Sequence, residues 1–264
     1  MSLFWISILL GIVEGLTEFL PISSTGHLIL TSELVGFVGK RSEVFTVFIQ
    51  LGAIFAVVWE YRRRLIDTVK GLRHRPESRS FVFTIALAIV PAALLGFAFH
   101  DPIKERLFSP VPVALALIVG AVAILVVESL PLPLRIERIE DAGWKRGLAV
   151  GFAQCMALWP GFSRSAATIL GGMGAGLSRR AATEFSFFLA IPTMFGATIW
   201  DLFKNHQHLE PGDSAALALS FAVSFVVAWF AIRWLLGFVA THSLRPFAWY
   251  RLAIGVVILI MFWN

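Results

Sequence analysis

Six stretches of this chain are long and almost purely apolar: Val44–Tyr61, Phe81–Phe99, Val111–Leu130, Ala182–Phe203, Ala215–Val239 and Phe247–Trp263. Roughly 20 apolar residues in a helix suffice to cross the hydrocarbon of a bilayer. An open sheet would leave backbone groups unsatisfied in lipid, so all six are expected as transmembrane helices. Two further apolar segments do not qualify as plain spans. Leu3–Leu20 carries Glu14 and Glu18 and stops at Pro21, and Leu148–Trp159 is short and stops at Pro160-Gly161. Each leads through a Ser-rich turn into a second short apolar piece, His27–Phe37 and Ala166–Leu177. Two limbs too short to cross, joined by a polar turn, predict a re-entrant hairpin. Such backbone is tolerated at depth only where protein or a wet cavity surrounds it.

The two hairpins are related. Glu14, Ser23 and Thr25 recur 140 residues on as Gln154, Ser163 and Ser165. At the same offset Phe45, Phe48, Phe55 and Phe81 meet Phe185, Phe188, Phe195 and Phe221, and one residue out of that register Leu94-Leu-Gly-Phe97 recurs as Leu235-Leu-Gly-Phe238. Each half is then one hairpin plus three spans. An odd number of spans inverts the second half, an arrangement that places sites where the repeats meet. The expected fold is an all-α polytopic membrane protein, a single integral membrane domain over 1–264 with inverted repeats at about 1–130 and 147–264.

Composition agrees. The chain is 58% hydrophobic and 15% charged, with a mean hydropathy of +0.80, where a soluble domain carries roughly 25% charged residues. The net charge of +5 sits in short loops, which excludes nucleic acid as a partner, and the one cysteine, Cys155, excludes an internal disulfide. No cleavable signal is expected, because the first Lys or Arg is Lys40 and such a signal needs early positive charge. Arg62, Arg63, Arg64, Lys70, Arg73, Arg75 and Arg79 crowd one loop, which the positive-inside rule makes cytoplasmic. Pro131–Arg146, Ser178–Arg180 and Thr241–Pro246 then lie inside, and His100–Pro110, Asn205–Asp213 and both termini outside. The first hairpin enters from the outer face and the second from the cytoplasmic face.

Ionisable groups within such segments mark sites. Glu14 and Glu18 share a helix face, and two carboxylates in low dielectric need a shared proton or a cation. Oxygen-only ligation favours Mg²⁺ or Ca²⁺, so Glu14 and Glu18 are the candidate metal ligands. Ser23, Ser24, Thr25 and His27 crowd the turn after Pro21. A hydroxyl beside an imidazole makes a minimal nucleophile, which singles out Ser24 with His27; helix capping is the other use of such hydroxyls. Ser163, Arg164, Ser165 and Thr168 open a helix, whose N-terminus with an arginine fork suits phosphate. An ion-pair staple from Arg164 to Glu14 or Glu18 is the competing use, since a mid-membrane arginine is expected to need a carboxylate. Glu128 is expected at the interface, His74, His206, His208 and His242 in solvent, and Gln50 and Ser186 facing the cleft. The charge pattern implies an anionic phosphate ligand bridged by metal.

Glu14-Gly-Leu-Thr-Glu18-Phe-Leu-Pro-Ile-Ser-Ser-Thr-Gly-His27 and Leu158-Trp-Pro-Gly-Phe-Ser-Arg-Ser165-Ala-Ala-Thr168 closely resemble the two signature motifs of the bacterial undecaprenyl-diphosphate phosphatases, or bacitracin-resistance proteins. The likeness extends over essentially the whole chain, including Glu184-Phe-Ser-Phe-Phe-Leu-Ala-Ile-Pro192. It implies hydrolysis of undecaprenyl diphosphate to the monophosphate and phosphate at the outer face of the bacterial cytoplasmic (inner) membrane. That reaction recycles the lipid carrier of peptidoglycan synthesis. The resemblance also implies divalent-metal dependence, with Glu14 and Glu18 as the acidic pair, Ser24 and His27 as nucleophile and partner, and Arg164 with Ser163 and Thr168 on the diphosphate. Attack by Ser24 and attack by metal-bound water are both left open. Partners are undecaprenyl diphosphate and membrane lipid, with a homodimer left open. The inverted repeat suggests a second class, a polyprenyl-phosphate transporter or flippase.

Overall fold

The computed structural model describes residues 2–205 and 211–262. His206, His208 and Trp263 lie outside the described residues. Twelve α-helices form among the described residues: α1 (Leu3–Thr17), α2 (Ser24–Val35), α3 (Lys40–Glu60), α4 (Arg62–Gly71), α5 (Pro76–Ala98), α6 (His100–Leu107), α7 (Pro110–Ser129), α8 (Gly143–Gln154), α9 (Arg164–Gly174), α10 (Arg179–Asn205), α11 (Ser214–Thr241) and α12 (Arg245–Phe262). No strand forms among them beyond one isolated bridge, Ile136 to Leu177. Helices α3, α5, α7, α10, α11 and α12 are long and apolar enough to cross a membrane. They coincide with the six expected spans, and the chain is a multi-pass membrane protein. Large side chains such as Phe97 (83% exposed) and Ile260 (76%) face outward. In water that surface would drive aggregation; against acyl chains it is the matching solvent.

Two segments expected as loops are helical. Helix α4 occupies the start of the arginine-rich loop, and α6 the segment after α5. Both are short and mixed in polarity, so neither their length nor a run of apolar residues reveals them. Helices α8, α2 and α9 begin a few residues before their apolar runs, because a polar residue is as good a first-turn residue as an apolar one.

Close packing depends on small residues. Helix α1 lies along α11, and a methyl at Gly11 or Gly15 would sit 2.8 Å from the Ser220 or Ser224 carbonyl oxygen. Helix α8 lies along α5 in the same way, Gly147 against Thr84 and Gly151 against Ala88. Glycines four residues apart let backbones approach where lipid supplies no hydrophobic drive. Helix α7 pairs with α12, α3 with α11, and α9 with α10.

Ion pairs sort the loops onto two ends. Arg64 bonds Glu140 and Glu184, joining α4, the 3-10 turn Ile139–Asp141 and α10. Burial raises the Glu140 carboxyl, but the Arg64 bonds outweigh it and hold it below the usual carboxylate range. Glu128, at the end of α7, is held by protein partners. Its side chain is 1% exposed, bonded to Arg179 at 2.6 and 2.9 Å, and accepts from the Leu244 N–H. Those contacts gather the four segments expected to share one side. Arg41 with Asp213 and Lys104 with Glu43 gather the other end.

Substituting Gly15 by Leu is expected to destabilise the protein by about 1–3 kcal/mol through overpacking against α11. Gly237→Ala, with nothing within 4 Å of the added carbon, is expected to be neutral. Thermal unfolding in detergent distinguishes the two, and equal melting curves would show that the α1–α11 contact is loose.

Candidate active site

The two Ser-rich turns share one backbone feature. Ser23 (φ 72°) and Ser163 (φ 76°) are the non-glycine residues with positive φ among those described. Each caps the helix that follows, Ser23 Oγ accepting from Gly26 N–H at 3.4 Å and Ser163 Oγ from Ala166 N–H at 3.2 Å. A left-handed serine is strained, and such strain persists only where surroundings enforce it. Here it makes Ser24 and Arg164 the first residues of α2 and α9.

What enforces both turns is Arg251 of α12, a residue that reading the sequence does not single out. It is fully buried. Its Nε donates to Leu117 O at 3.1 Å, Nη1 to Pro21 O at 3.0 Å, and Nη2 to Gly161 O and Phe162 O at 3.1 and 2.8 Å, with Ala116 O at 3.3 Å. The expectation that a mid-membrane arginine needs a carboxylate fails here. Its fixed donors meet three carbonyls that the turns leave outside any helix, those of Pro21, Gly161 and Phe162, and two within α7. Gly120 on α7 provides the room, since a side chain there would collide with the guanidinium. A second tie runs through hydroxyls, from Ser163 Oγ to Ser165 Oγ (2.9 Å) to Leu20 O (2.8 Å).

The chemistry-bearing side chains meet beside this clamp. Ser24 Oγ donates to Glu18 Oε2 at 2.5 Å. Glu18 Oε1 pairs with Arg164 Nη2 at 3.2 Å. Arg164 Nη1 donates to Ser186 O and Oγ at 3.1 and 3.3 Å. Thr168 Oγ1 lies 2.7 Å from Ser186 Oγ and 2.8 Å from Arg164 O. The Arg164–Glu18 staple weighed from the sequence is therefore formed, and Ser186 does face the cluster. Thr25 is half-buried in the first turn of α2, and Gln50 is half-buried on α3.

Ser24 and His27 are not paired. His27 Nδ1 lies 2.7 Å from Ser23 O and Nε2 2.7 Å from Tyr250 Oη. A carbonyl only accepts, so Nδ1 carries a proton, and in the neutral ring Nε2 then accepts from the tyrosine. The rings stack 5.5 Å apart. The group in contact with the Ser24 hydroxyl is the Glu18 carboxylate.

Beside this cluster, charged groups stand without partners. Glu14 is fully buried and both its carboxylate oxygens are unpaired; Arg164 Nε is buried and unpaired. Gln154, the counterpart of Glu14, also has an unpaired buried Oε1. An unmade hydrogen bond in a buried group costs about 1–3 kcal/mol, more for a charge. An unpaired carboxylate and an unpaired guanidinium N–H at one cluster fit a ligand carrying both signs.

The sequence profile of the bacitracin resistance protein BacA matches residues 7–257. The chain belongs to the BacA family. It is similar to the undecaprenyl-diphosphatase of Nitrosospira multiformis, 55% identical over 96% of this chain and 93% of that protein. It is 53% identical to the undecaprenyl-diphosphatase of Ectopseudomonas mendocina over 96% of this chain and 92% of that one. It is 50% identical to undecaprenyl-diphosphatase 1 of Stutzerimonas stutzeri over 97% and 94%.

For this BacA family member, Arg251→Met is expected to strand the carbonyls of both turns and cost about 3–5 kcal/mol. Arg251→Lys, with three donors, should recover part of it. Chemical denaturation in detergent checks both, and a methionine variant as stable as the parent would show that the clamp is dispensable.

Proposed function

We infer that this chain hydrolyses undecaprenyl diphosphate to undecaprenyl phosphate and inorganic phosphate, recycling the lipid carrier of peptidoglycan synthesis and conferring bacitracin resistance. Membership of the BacA family and relatives named undecaprenyl-diphosphatase over nearly the whole chain support this. The observation that carries it structurally is the pair of unpaired charged groups, Glu14 and Arg164 Nε, beside a hydroxyl bonded to a carboxylate.

Arg164 Nε–H is the free donor for a diphosphate oxygen, and the start of α9 adds a positive dipole. Ser163, Ser165, Thr168, Ser23 and Thr25 shape the phosphate cradle. Ser24 is assigned as nucleophile and Glu18 as its base. Ser24 Oγ attacks the terminal phosphorus, its proton passes to Glu18, and the bond to the bridging oxygen breaks. Undecaprenyl phosphate leaves with that electron pair. Water then cleaves the phosphoserine and restores Ser24. His27 spends Nδ1–H on Ser23, so proton exchange through it runs by Nε2 and Tyr250.

Glu14 and Glu18 are the residues that would hold Mg²⁺ or Ca²⁺. Among the described residues no group of three or more His, Cys, Asp or Glu converges, so an ion held by Glu14 and Glu18 would need further oxygen ligands from outside this pair. An ion held there would supply charge neutralisation to the transferring phosphoryl group.

We further propose the inverted repeat, with two re-entrant hairpins. The like-strained Ser23 and Ser163 and the glycine contacts of α1 on α11 and α8 on α5 support it. By the positive-inside rule the arginine-rich end is cytoplasmic in the bacterial inner membrane. Both termini and the first hairpin's mouth then lie on the outer side. The same repeat would suit a polyprenyl-phosphate carrier, but a buried hydroxyl held on a carboxylate is needed for chemistry and not for carriage.

Phosphate release from undecaprenyl diphosphate by detergent-purified protein tests the assignment. Chelator should abolish release, and Mg²⁺ or Ca²⁺ should restore it. Ser24→Ala should lower turnover by at least about 10³-fold, as loss of a nucleophile does elsewhere. Arg164→Ala should cost about 10²–10³-fold as a lost phosphate donor. Release retained by Ser24→Ala would transfer the attack to water. No release by the folded parent would move the reading to the carrier.

A further inference from the structure

At the arginine-rich end, away from the two turns, a pocket of about 340 Å³ opens between the end of α3, the start of α4 and the flank of α11. Trp59, Glu60, Arg62, Arg63, Trp229 and Arg233 line it. Its walls are pre-arranged. Trp229 Nε1–H donates to Glu60 Oε2 at 2.7 Å. The Arg62 guanidinium stacks 4.4 Å over Trp59 and donates to its carbonyl at 2.6 Å. Arg233 lies 5.2 Å over the Trp229 ring. None of the three arginines forms an ion pair among the described residues, whereas Arg64, Arg179 and Arg41 all do.

Depth makes this unusual. Helix α11 has 28 residues, about 42 Å of helix at 1.5 Å per residue, against a hydrocarbon core of about 30 Å. Arg233 stands about 12 Å before the helix end, exposed, between exposed Phe230 and Trp234. An unpaired guanidinium on that outer face is costly unless it reaches head groups. Trp59 and Trp229 are side chains that settle at the membrane interface. Helix α4 exposes Ile66 (50%) and Val69 (65%) beside Arg62, Arg63 and Lys70, the pattern of a helix lying in the interface plane. Lipid head groups therefore surround the pocket, and three arginines against Glu60 leave it a net charge of two.

We propose that this pocket is a binding site for an anionic phospholipid, whose phosphate is held by Arg62, Arg63 and Arg233 between the Trp59 and Trp229 rings. Basic pockets at helix ends on the cytoplasmic side take such head groups. The site is separate from the catalytic cluster, and its assignment does not rest on the phosphatase reading.

Native mass spectrometry of delipidated full-length protein, titrated with phosphatidylglycerol or with phosphatidylcholine of the same acyl chains, tests it. The anionic lipid should be retained about thirtyfold more strongly, from two net charges near the surface. The Arg63→Gln/Arg233→Gln double variant should lose most of that preference, and Arg233→Gln alone part of it. Detergent-phase turnover of undecaprenyl diphosphate should be unchanged in both, which reports an intact fold. Lys70→Gln should keep the preference. Equal retention of the two lipids by the parent would overturn the proposal, as would an undiminished preference in both arginine variants. Displacement of the anionic lipid by millimolar inorganic phosphate would assign the pocket to a free ion instead.

Discussion

The structure depends on one buried guanidinium. Arg251 takes carbonyls from Pro21 in the first turn, Gly161 and Phe162 in the second, and Ala116 and Leu117 in α7. Turns between short helices carry carbonyls that nothing local satisfies. In water they would be hydrated, but within a membrane protein they need fixed donors. A planar group with five N–H bonds does this for both turns at once, and so sets their separation. A carboxylate partner would have consumed the donors that the carbonyls require.

With the turns held, the first residues of α2 and α9 face one another across the interface. That is why Ser24, Glu18 and Arg164 meet although Glu18 and Arg164 are 146 residues apart in sequence. The cluster is rigid on its supported side, through Ser186 and Thr168, and unfinished on the other, at Glu14 and Arg164 Nε. Preorganised charges with unmet bonding capacity are what a phosphoryl-transfer site requires, because positioning and charge neutralisation dominate that chemistry.

Charge is used differently at the ends of the bundle. Glu128 with Arg179, and Arg64 with Glu140 and Glu184, tie neighbouring segments together at half-buried positions. Arg62 and Arg233 instead lie over tryptophan faces, and they and Arg63 have no carboxylate partner among the described residues. The same residue type thus serves as a staple where it pairs with a carboxylate, and as a lipid-facing donor where the nearby carboxylate, Glu60, bonds a tryptophan instead.

The sequence by itself determined the six spans, the two broken segments and the identity of the polar residues gathered at them. Those features are written in local hydrophobicity, in Pro and Gly positions and in the cost of placing charge in hydrocarbon, all of which are readable along the chain. Helices α4 and α6 escaped because they are short and amphipathic, and stability for such helices comes from their surroundings. The tertiary structure alone decided the pairings. Sequence spacing brings His27 near Ser24, yet the turn of α2 sends the imidazole to Ser23 O and Tyr250 and gives the hydroxyl to Glu18. Arg251 sits in an apolar run with no motif around it, and Glu128 stands at a span end like any interfacial acid. Their roles come from partners 51 to 230 residues distant, and a hydrogen bond between remote segments exists only once packing has fixed both its ends.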